Sequence, residues 1–220
     1  MGNIVTVGYV VEGTTDVKFL GQVIRRTFEH VAFDCLGEIE VFEPELMEPI
    51  GATYVKQLLN ASVSSFEIGL QVLCIHADSD SPSANQVLER KLDPAFTDIQ
   101  AYGGDNCKNL VAVIPIHMSE AWILADVDIL REEIGTTLSA THLALTRSPE
   151  SYADPKMAIE NAVRLARAGL TRRRRGDLTL ADLYQILGQR VRLERLERLG
   201  SYLAFKGAVV DAYRRLGFLH

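Results

Sequence analysis

The chain has 220 residues, of which 47% are hydrophobic and 24% are charged, and its net charge is −6. This length allows one sizeable domain or a core domain with a smaller appendage, and the composition is that of an ordinary globular protein. No apolar run approaches the roughly 20 residues of a membrane-spanning helix, and the N-terminus lacks a basic segment followed by an apolar one. We therefore expect a cytoplasmic protein with no membrane partner.

Charge is unevenly distributed along the chain. Residues 1–150 contain 9 Lys/Arg and 22 Asp/Glu, a net charge of −13, whereas residues 151–220 contain 14 and 7, a net charge of +7. Such segregation is typical of a protein with an acidic metal-binding part and a basic phosphate-contacting part, although two solvated faces would give the same counts. The cysteines (Cys35, Cys74 and Cys107) are isolated, so we expect reduced thiols rather than a disulfide framework or a zinc site.

Apolar, β-branched runs alternate with helical patterns in the first 130 residues. Strands are predicted at residues 3–11, 38–43, 69–77 and 110–117. Helices are predicted from Thr14 or Thr15 to Ile24, at 51–65 with Gly51 and Ala52 opening the helix, at 83–93, and from Ser119 as N-cap to Ala125. Strands that alternate with helices predict an α/β fold in which helices cover both faces of a parallel sheet.

After about residue 130 only helical patterns follow, at 155–169, 179–188, 190–199 and 201–216. The polar stretch 148–154, which contains Pro149 and precedes Pro155, is the best boundary. We therefore predict an α/β domain over residues 1–147 and a helical C-terminal extension over residues 148–220, packed on or beside it. Arginines alternate with glutamates in the extension, which predicts ion pairs along one helix face. These residues are Arg190, Arg192, Glu194, Arg195, Glu197 and Arg198.

Carboxylates follow two of the predicted strands directly. Glu12 ends the first strand, and Asp78 and Asp80 follow the strand at 69–77. The carboxyl ends of parallel strands meet at one edge of a sheet, so these side chains should lie close together. Carboxylate oxygens are preferred ligands of Mg²⁺, which neutralises charge in phosphoryl chemistry. Each motif alone also has a plain explanation, a turn after a strand, or a phosphatase-type site in the case of the paired aspartates.

The two motifs in this order resemble the Toprim domain of topoisomerases, primases and overcoming-lysogenisation-defect nucleases. They are VVEGTTD at residues 10–16 and CIHADSD at residues 74–80. Three further segments resemble small standalone Toprim proteins that are found beside ATPases in defence-type gene neighbourhoods: IPIHMSEAWILAD at residues 114–126, DPK at 154–156 and AFKGAVVDAYRRLGF at 204–218.

The resemblance implies a role for each matching residue. Glu12 would be the general acid/base, and Asp78 and Asp80 would bind Mg²⁺ or Mn²⁺. Glu120 would join the metal site, although it could equally cap backbone N–H groups. Asp16 departs from the pattern, because these relatives more often have glutamate there. The chain also lacks the tyrosine-bearing domain of a topoisomerase, the zinc ribbon of a primase and a P-loop.

Basic residues in the extension are candidates for phosphate contact. Arg172, Arg173, Arg174 and Arg175 form the most basic run and fall between two predicted helices, where an exposed loop would suit nucleic acid. Lys156 lies at the predicted start of a helix. For both, plain solvent exposure is the alternative.

These observations lead to one expected function and two alternatives. We expect a Mg²⁺-dependent Toprim-type nuclease that cuts DNA or RNA, a defence-system effector that works with a separate ATPase. A non-catalytic nucleic-acid-binding or regulatory partner of such an ATPase is the first alternative, and a metal-dependent small-molecule phosphatase is the second. A homodimer is one arrangement that the sequence allows.

Overall fold

A computed structural model describes residues 2–168 and 178–220. Its strands are β1 (Asn3–Val5), β2 (Val7–Val10), β3 (Ile39–Val41), β4 (Glu45–Leu46), β5 (Val72–His76) and β6 (Leu110–Val113). Its helices are α1 (Asp16–Ala32), α2 (Tyr54–Glu67), α3 (Asn85–Val87), α4 (Asp93–Ala101), α5 (Glu120–Ile123), α6 (Val127–Ile134), α7 (Pro155–Ala166), α8 (Leu180–Arg190), α9 (Leu193–Leu196) and α10 (Gly200–Arg215). A π-helical turn, Leu88–Leu92, joins α3 to α4, and 3₁₀ turns occupy Leu124–Asp126 and Pro149–Ser151.

The central sheet has four parallel strands in the order β4-β2-β5-β6, and β1 pairs with β3 in a parallel two-stranded ladder. The predicted strand at 3–11 is thus divided at Thr6, whose hydroxyl donates to the Gly69 carbonyl oxygen and accepts from the Gln71 N–H. Pro44 separates β3 from β4, because proline supplies no N–H to a ladder. The sequence patterns did not predict β4.

Helices cover both faces of the sheet, as predicted. Successive residues of β5 alternate between two hydrophobic clusters: Val72 and Cys74 face α1 and the C-terminal helices, whereas Leu73 and Ile75 face α2 and α4. All four side chains are fully buried. Burial on both faces of the sheet therefore explains why the first four residues of β5 are all apolar.

The described helices after residue 155 pack on the α1 face of the sheet and share its hydrophobic cluster. Helix α8 lies so close to α1 that a Cβ at Gly188 would stand 2.7 Å from the Phe19 carbonyl oxygen. Trp122 is fully buried and its Nε1–H donates to the Ser201 hydroxyl at 2.8 Å. The division of the chain at residues 147 and 148 stays a prediction, but the two parts pack together along this face.

Several helix starts differ from the prediction, and two of the differences have a local cause. Helix α2 begins at Tyr54 rather than at Gly51, because Thr53 adopts an extended backbone and its side chain accepts from the Lys56 N–H. Ser119 precedes α5 but does not cap it, since its hydroxyl bonds elsewhere. In the described ranges no helix is both long enough and apolar enough to cross a membrane.

Candidate functional site

The predicted carboxylates lie where the strand order of the parallel sheet reverses, between β2 and β5. Strand β2 stands between β4 and β5, so the connection after β2 leads to one side of the sheet and the connection after β5 leads to the other. Ligands of open α/β sheets bind in the crevice at such a switch point, outside the carboxyl ends of the strands. The register Val10↔Ile75 brings the loops that carry Glu12 and Asp78 side by side at that crevice.

A serine hydroxyl fixes the loop after β5 to the loop after β6. Ser79 is buried, accepts from the His117 N–H at 2.7 Å and donates to the Ser81 carbonyl oxygen at 2.7 Å. The Asp80 N–H in turn donates to the His117 carbonyl oxygen at 3.2 Å. Asp80 and His117 both have left-handed backbones, with φ of 51° and 61°. Strained residues of this kind persist where the surroundings fix them, which is common at functional sites.

Asp78 is largely buried beside other carboxylates. Its Oδ1 is 3.0 Å from His76 Nε2, and its side chain is 22% exposed. Burial raises the pKa of Asp78, and the charges of Asp16 and Glu12 raise it further, while the hydrogen bond with His76 lowers it. The net pKa is above the ordinary value, so negative charge at this position is under-compensated by the protein.

Glu12 pairs with a lysine that the sequence patterns did not single out. Lys91 Nζ lies 2.7 Å from Glu12 Oε1, and the same ammonium group stands 5.7 Å from the centre of the Tyr54 ring. Lys91 belongs to the π-helical turn, a feature that is frequent at functional sites. Nothing in the letters LERKL distinguishes a π-turn from an α-helix, so only the fold reveals this pair.

Glu120 and Asp16 form a buried network behind the crevice. The Ser119 hydroxyl donates to Asp16 Oδ1 at 2.5 Å and lies 3.4 Å from Glu120 Oε2, while the Tyr184 hydroxyl donates to Glu120 Oε1. Burial raises the pKa of Glu120, and the charges of Asp16 and Asp78 also raise it, against the opposing effect of the Tyr184 hydrogen bond. The network explains why Ser119 does not cap α5, and it links helix α8 to the site.

The glycine after Glu12 leaves room for the side chain of Asp16 in this network. A Cβ at Gly13 would stand 2.8 Å from Asp16 Oδ2, inside normal contact distance. The Glu-Gly pair of the first motif therefore has a packing reason as well as the role that the resemblance implies.

Of the predicted basic residues, the structure describes Lys156. Lys156 is exposed in the first turn of α7, which Asp154 caps by accepting from the Met157 N–H at 2.7 Å. Arg172, Arg173, Arg174 and Arg175 lie outside the described residues. Arg190, Arg192 and Arg195 pair with acids of α6 and its preceding turn rather than along one helix, as Arg190 does with Glu132 and Glu133.

The side chains at the crevice carry the kind of oxygen atom that binds a hard divalent cation. Asp78, Asp80 and Glu12 supply carboxylate oxygens, and Mg²⁺ commonly binds through one or two carboxylates, with waters and substrate phosphates completing its shell. The raised pKa of Asp78 indicates a place that favours added positive charge. Among residues 2–168 and 178–220, however, no three His, Cys, Asp or Glu side chains are grouped closely enough to hold an ion by themselves. Both Glu120 oxygens already face hydroxyls, so Asp78 and Asp80 are the better ligands.

Fold and site together define an α/β protein with a parallel sheet and several carboxylates near the carboxyl edge of that sheet. No family model matches the chain, and no curated protein or solved structure is significantly similar to it. The likeness to Toprim domains therefore stays a prediction from the sequence motifs.

Proposed function

We propose that the chain is a Toprim-type nuclease that hydrolyses phosphodiester bonds of DNA or RNA with Mg²⁺ or Mn²⁺. The observation that carries this proposal is the excess of carboxylates at the switch point, where burial and mutual repulsion raise the pKa of Asp78 and Glu120. Uncompensated buried negative charge favours protons or a cation. Carboxylates beside an open crevice suit a cation shared with a substrate phosphate.

Each residue has a distinct role in this proposal. Asp78 and Asp80 would hold the metal ion, which would neutralise charge on the scissile phosphate. Glu12 takes a proton from the attacking water at its carboxylate, and Lys91 keeps that carboxylate in position and supplies positive charge near the phosphate. His76 orients Asp78 through the 3.0 Å contact with Oδ1. Asp16, Ser119, Glu120 and Tyr184 support the crevice from behind.

A cleavage assay with a metal-binding measurement tests the proposal. Labelled single- and double-stranded DNA and RNA are incubated with the protein and Mg²⁺ or Mn²⁺, and metal binding is followed by calorimetry. We expect Asp78→Asn to lose metal binding and cleavage together, whereas Asp98→Asn, at an exposed position of α4, keeps both. Wild-type protein that cuts none of these substrates with either metal, or equal metal binding by wild type and Asp78→Asn, would contradict it.

The Lys91–Glu12 pair gives specific support to a second candidate, a non-catalytic Toprim-like module that binds nucleic acid or regulates a separate ATPase. A lysine 2.7 Å from Glu12 neutralises the proposed general base. In a binding module this pair is permanent. Lys91→Met would then still bind nucleic acid and would show no cleavage at any metal concentration. In the nuclease, the same variant changes the cleavage rate.

A further inference from the structure

Strand β3 has an outer edge that no other strand covers. In the described ranges β3 pairs with β1 alone. The Phe42 N–H donates to the Val5 carbonyl oxygen at 3.1 Å, so residues at even positions of this segment bond to β1. Successive residues of a strand direct their backbone groups to opposite sides, and the N–H and C=O groups of Ile39 and Val41 therefore point away from β1. An edge of this kind is a template for a further strand.

A groove runs along this edge, between β3 and helix α1. Its volume is about 850 Å³. Ile39 and Val41 line its strand side, and Ala32 and Phe33 line its helix side. Phe33 is 87% exposed, although it is a large apolar side chain. A strand added to the edge of β3 would direct every second side chain into this groove, where apolar side chains would be covered.

The acids on the groove side of β3 already have a cationic partner. Arg25 lines the groove and pairs with Glu29 at 2.9 Å and also with Glu43. The free apolar surface of Phe33 is therefore the main feature that this side offers to an incoming side chain.

The opposite face of β3 carries acids without such a partner. Glu40 lies across from Ile4 of β1, and Glu38 comes two residues earlier. Both glutamates are exposed, and neither forms an ion pair in the part of the chain that the structure describes. An added strand would place its remaining side chains beside these glutamates, and lysine or arginine would suit that position.

The charge of the edge also decides between a second copy of this chain and a different partner. Residues 38–49 contain five glutamates and no Lys, Arg or His. Two copies that paired through this edge would bring two such acidic segments together, and like charges on facing strands are destabilising. A basic strand would meet the opposite sign.

We propose that the outer edge of β3 binds an extended segment of a partner protein in which basic residues alternate with apolar ones. The backbone of that segment bonds to the free groups of Ile39 and Val41. Its apolar side chains enter the groove beside Phe33, and its basic side chains lie beside Glu38 and Glu40. The alternation follows from the period of two residues in a strand. The inference does not depend on the proposed nuclease activity.

Titration of synthetic peptides by calorimetry tests the edge. The probe is a capped peptide of alternating lysine and valine. One control has glutamate in place of lysine, and the other has the lysines and valines in separate blocks. We expect saturable binding of the alternating basic peptide and at least about tenfold weaker binding of both controls. Equal affinity for the block peptide contradicts the proposal, because charge alone would then suffice. If no peptide binds, the glutamates only guard an exposed edge, and the proposal is overturned.

Hydrogen exchange of single backbone amides locates the bound peptide. The alternating basic peptide should slow exchange at Ile39 and Val41. Phe42 is the internal control, because its N–H is already bonded to Val5 and should change little. Unchanged exchange at Ile39 and Val41 in protein saturated with peptide overturns the proposal.

Two variants separate the backbone contacts from the charge contacts. Val41→Pro removes an N–H that points away from β1, which an edge strand tolerates, so the melting temperature should stay near the wild-type value while peptide binding is lost. Glu40→Lys should weaken binding about three- to tenfold. Asp98→Lys makes the same change of charge at an exposed position of α4 and should bind as wild type does.

These variants also give the results that would overturn the proposal. Wild-type affinity in folded Val41→Pro contradicts it. Should Val41→Pro fail to fold, equal affinity of Glu40→Lys and Asp98→Lys contradicts it instead. Sedimentation of the chain without peptide tests the other occupant: a dimer that Glu40→Lys or Val41→Pro alters would assign the edge to a second copy and overturn the proposal.

Discussion

Among the described residues, buried carboxylates occur in two regions, at the carboxyl edge of the sheet and in the C-terminal seam. The seam is the contact of Thr27, Trp122 and Asp126 with Arg192, Ser201 and Tyr202. Asp126 is 2% exposed, yet it accepts hydrogen bonds from the backbone and guanidinium of Arg192, at 2.5–3.1 Å. Burial acts to raise the pKa of Asp126, but these hydrogen bonds outweigh it and hold the pKa below the ordinary value.

At the carboxyl edge the balance is the opposite. The pKa of Asp78 and that of Glu120 are raised, because burial and neighbouring carboxylates outweigh the hydrogen bonds that each receives. Burial alone therefore does not set the direction of the pKa shift in this protein. The hydrogen-bond partners do: Asp126 is bonded to the guanidinium of Arg192, whereas Asp78 is bonded to His76 and Glu120 to the hydroxyls of Ser119 and Tyr184.

Glu12→Gln should have the largest effect. Glutamine keeps the shape of the side chain but cannot take up a proton, so we expect cleavage to fall about 10²–10⁴-fold with folding and nucleic-acid binding retained. Cleavage rates are measured against Mg²⁺ concentration. Glu89→Gln, an exposed glutamate of the π-turn, is the control and should match wild type. Rescue of Glu12→Gln by excess metal would assign Glu12 to metal binding instead of proton transfer.

Asp126→Asn should have the largest effect on stability and sharpens the contrast between the two regions. Loss of the charged hydrogen bonds with Arg192 should lower the free energy of unfolding by about 2 kcal/mol at neutral pH. Because the pKa is depressed in the folded state, this contribution is present above the ordinary aspartate pKa and is lost as pH falls through the folded value. Chemical denaturation of both proteins from pH 7 to pH 3 should therefore show the difference shrinking.

Asp128→Asn is the matched control for that experiment. Asp128 also contacts Arg192, at 3.2 Å, but its side chain is 57% exposed. Its removal should change stability by less than about 0.5 kcal/mol. If Asp128→Asn were as harmful as Asp126→Asn, burial would not explain the strength of the seam.

Glu120→Gln should do the reverse and stabilise the protein. Glutamine can still accept from Tyr184, and it removes a buried charge near Asp16 and Asp78. Because the pKa of Glu120 is raised in the folded state, wild-type stability falls as pH rises above the ordinary glutamate value. We expect a gain of about 1 kcal/mol at neutral pH that disappears below about pH 4. Thermal unfolding across this range is the measurement, and a loss of stability at pH 7 would show that the Glu120 charge is compensated.

The sequence was sufficient to predict the elements whose signal is local. Apolar runs identified the core of the parallel sheet, because a strand buried on both faces is apolar throughout. The strand ends placed Glu12 and Asp78 at one edge, because parallel strands end on the same side of the sheet. Sequence patterns could not predict contacts between distant segments, such as Tyr184 with Glu120 or Lys91 with Glu12, which depend on how helices pack.

The arginines and glutamates of residues 190–198 show the same limit. The alternation of charges predicted pairs along one helix, but α9 covers only Leu193–Leu196, so the pattern has no continuous helix face to follow. Arg190, Arg192 and Arg195 reach across to acids of α6 and its preceding turn instead. Residues three or four apart in the sequence face each other only where one continuous helix contains both of them.

Lys156→Ala should have the smallest effect and tests whether Lys156 acts at the site. Lys156 is solvent-exposed and Asp154 rather than Lys156 caps α7, so stability should change by less than about 0.5 kcal/mol. If Lys156 contacts phosphate, the salt dependence of nucleic-acid binding should flatten by about one unit of slope. Replacement of Arg172 to Arg175 by alanine should flatten it by up to about four. Lys108→Ala, at the amino end of β6 and thus at the opposite edge of the sheet, is the control for charge alone. Equal slopes for wild type and Lys156→Ala would leave Lys156 as a solvated surface residue, and equal flattening by Lys108→Ala would show that net charge rather than position governs binding.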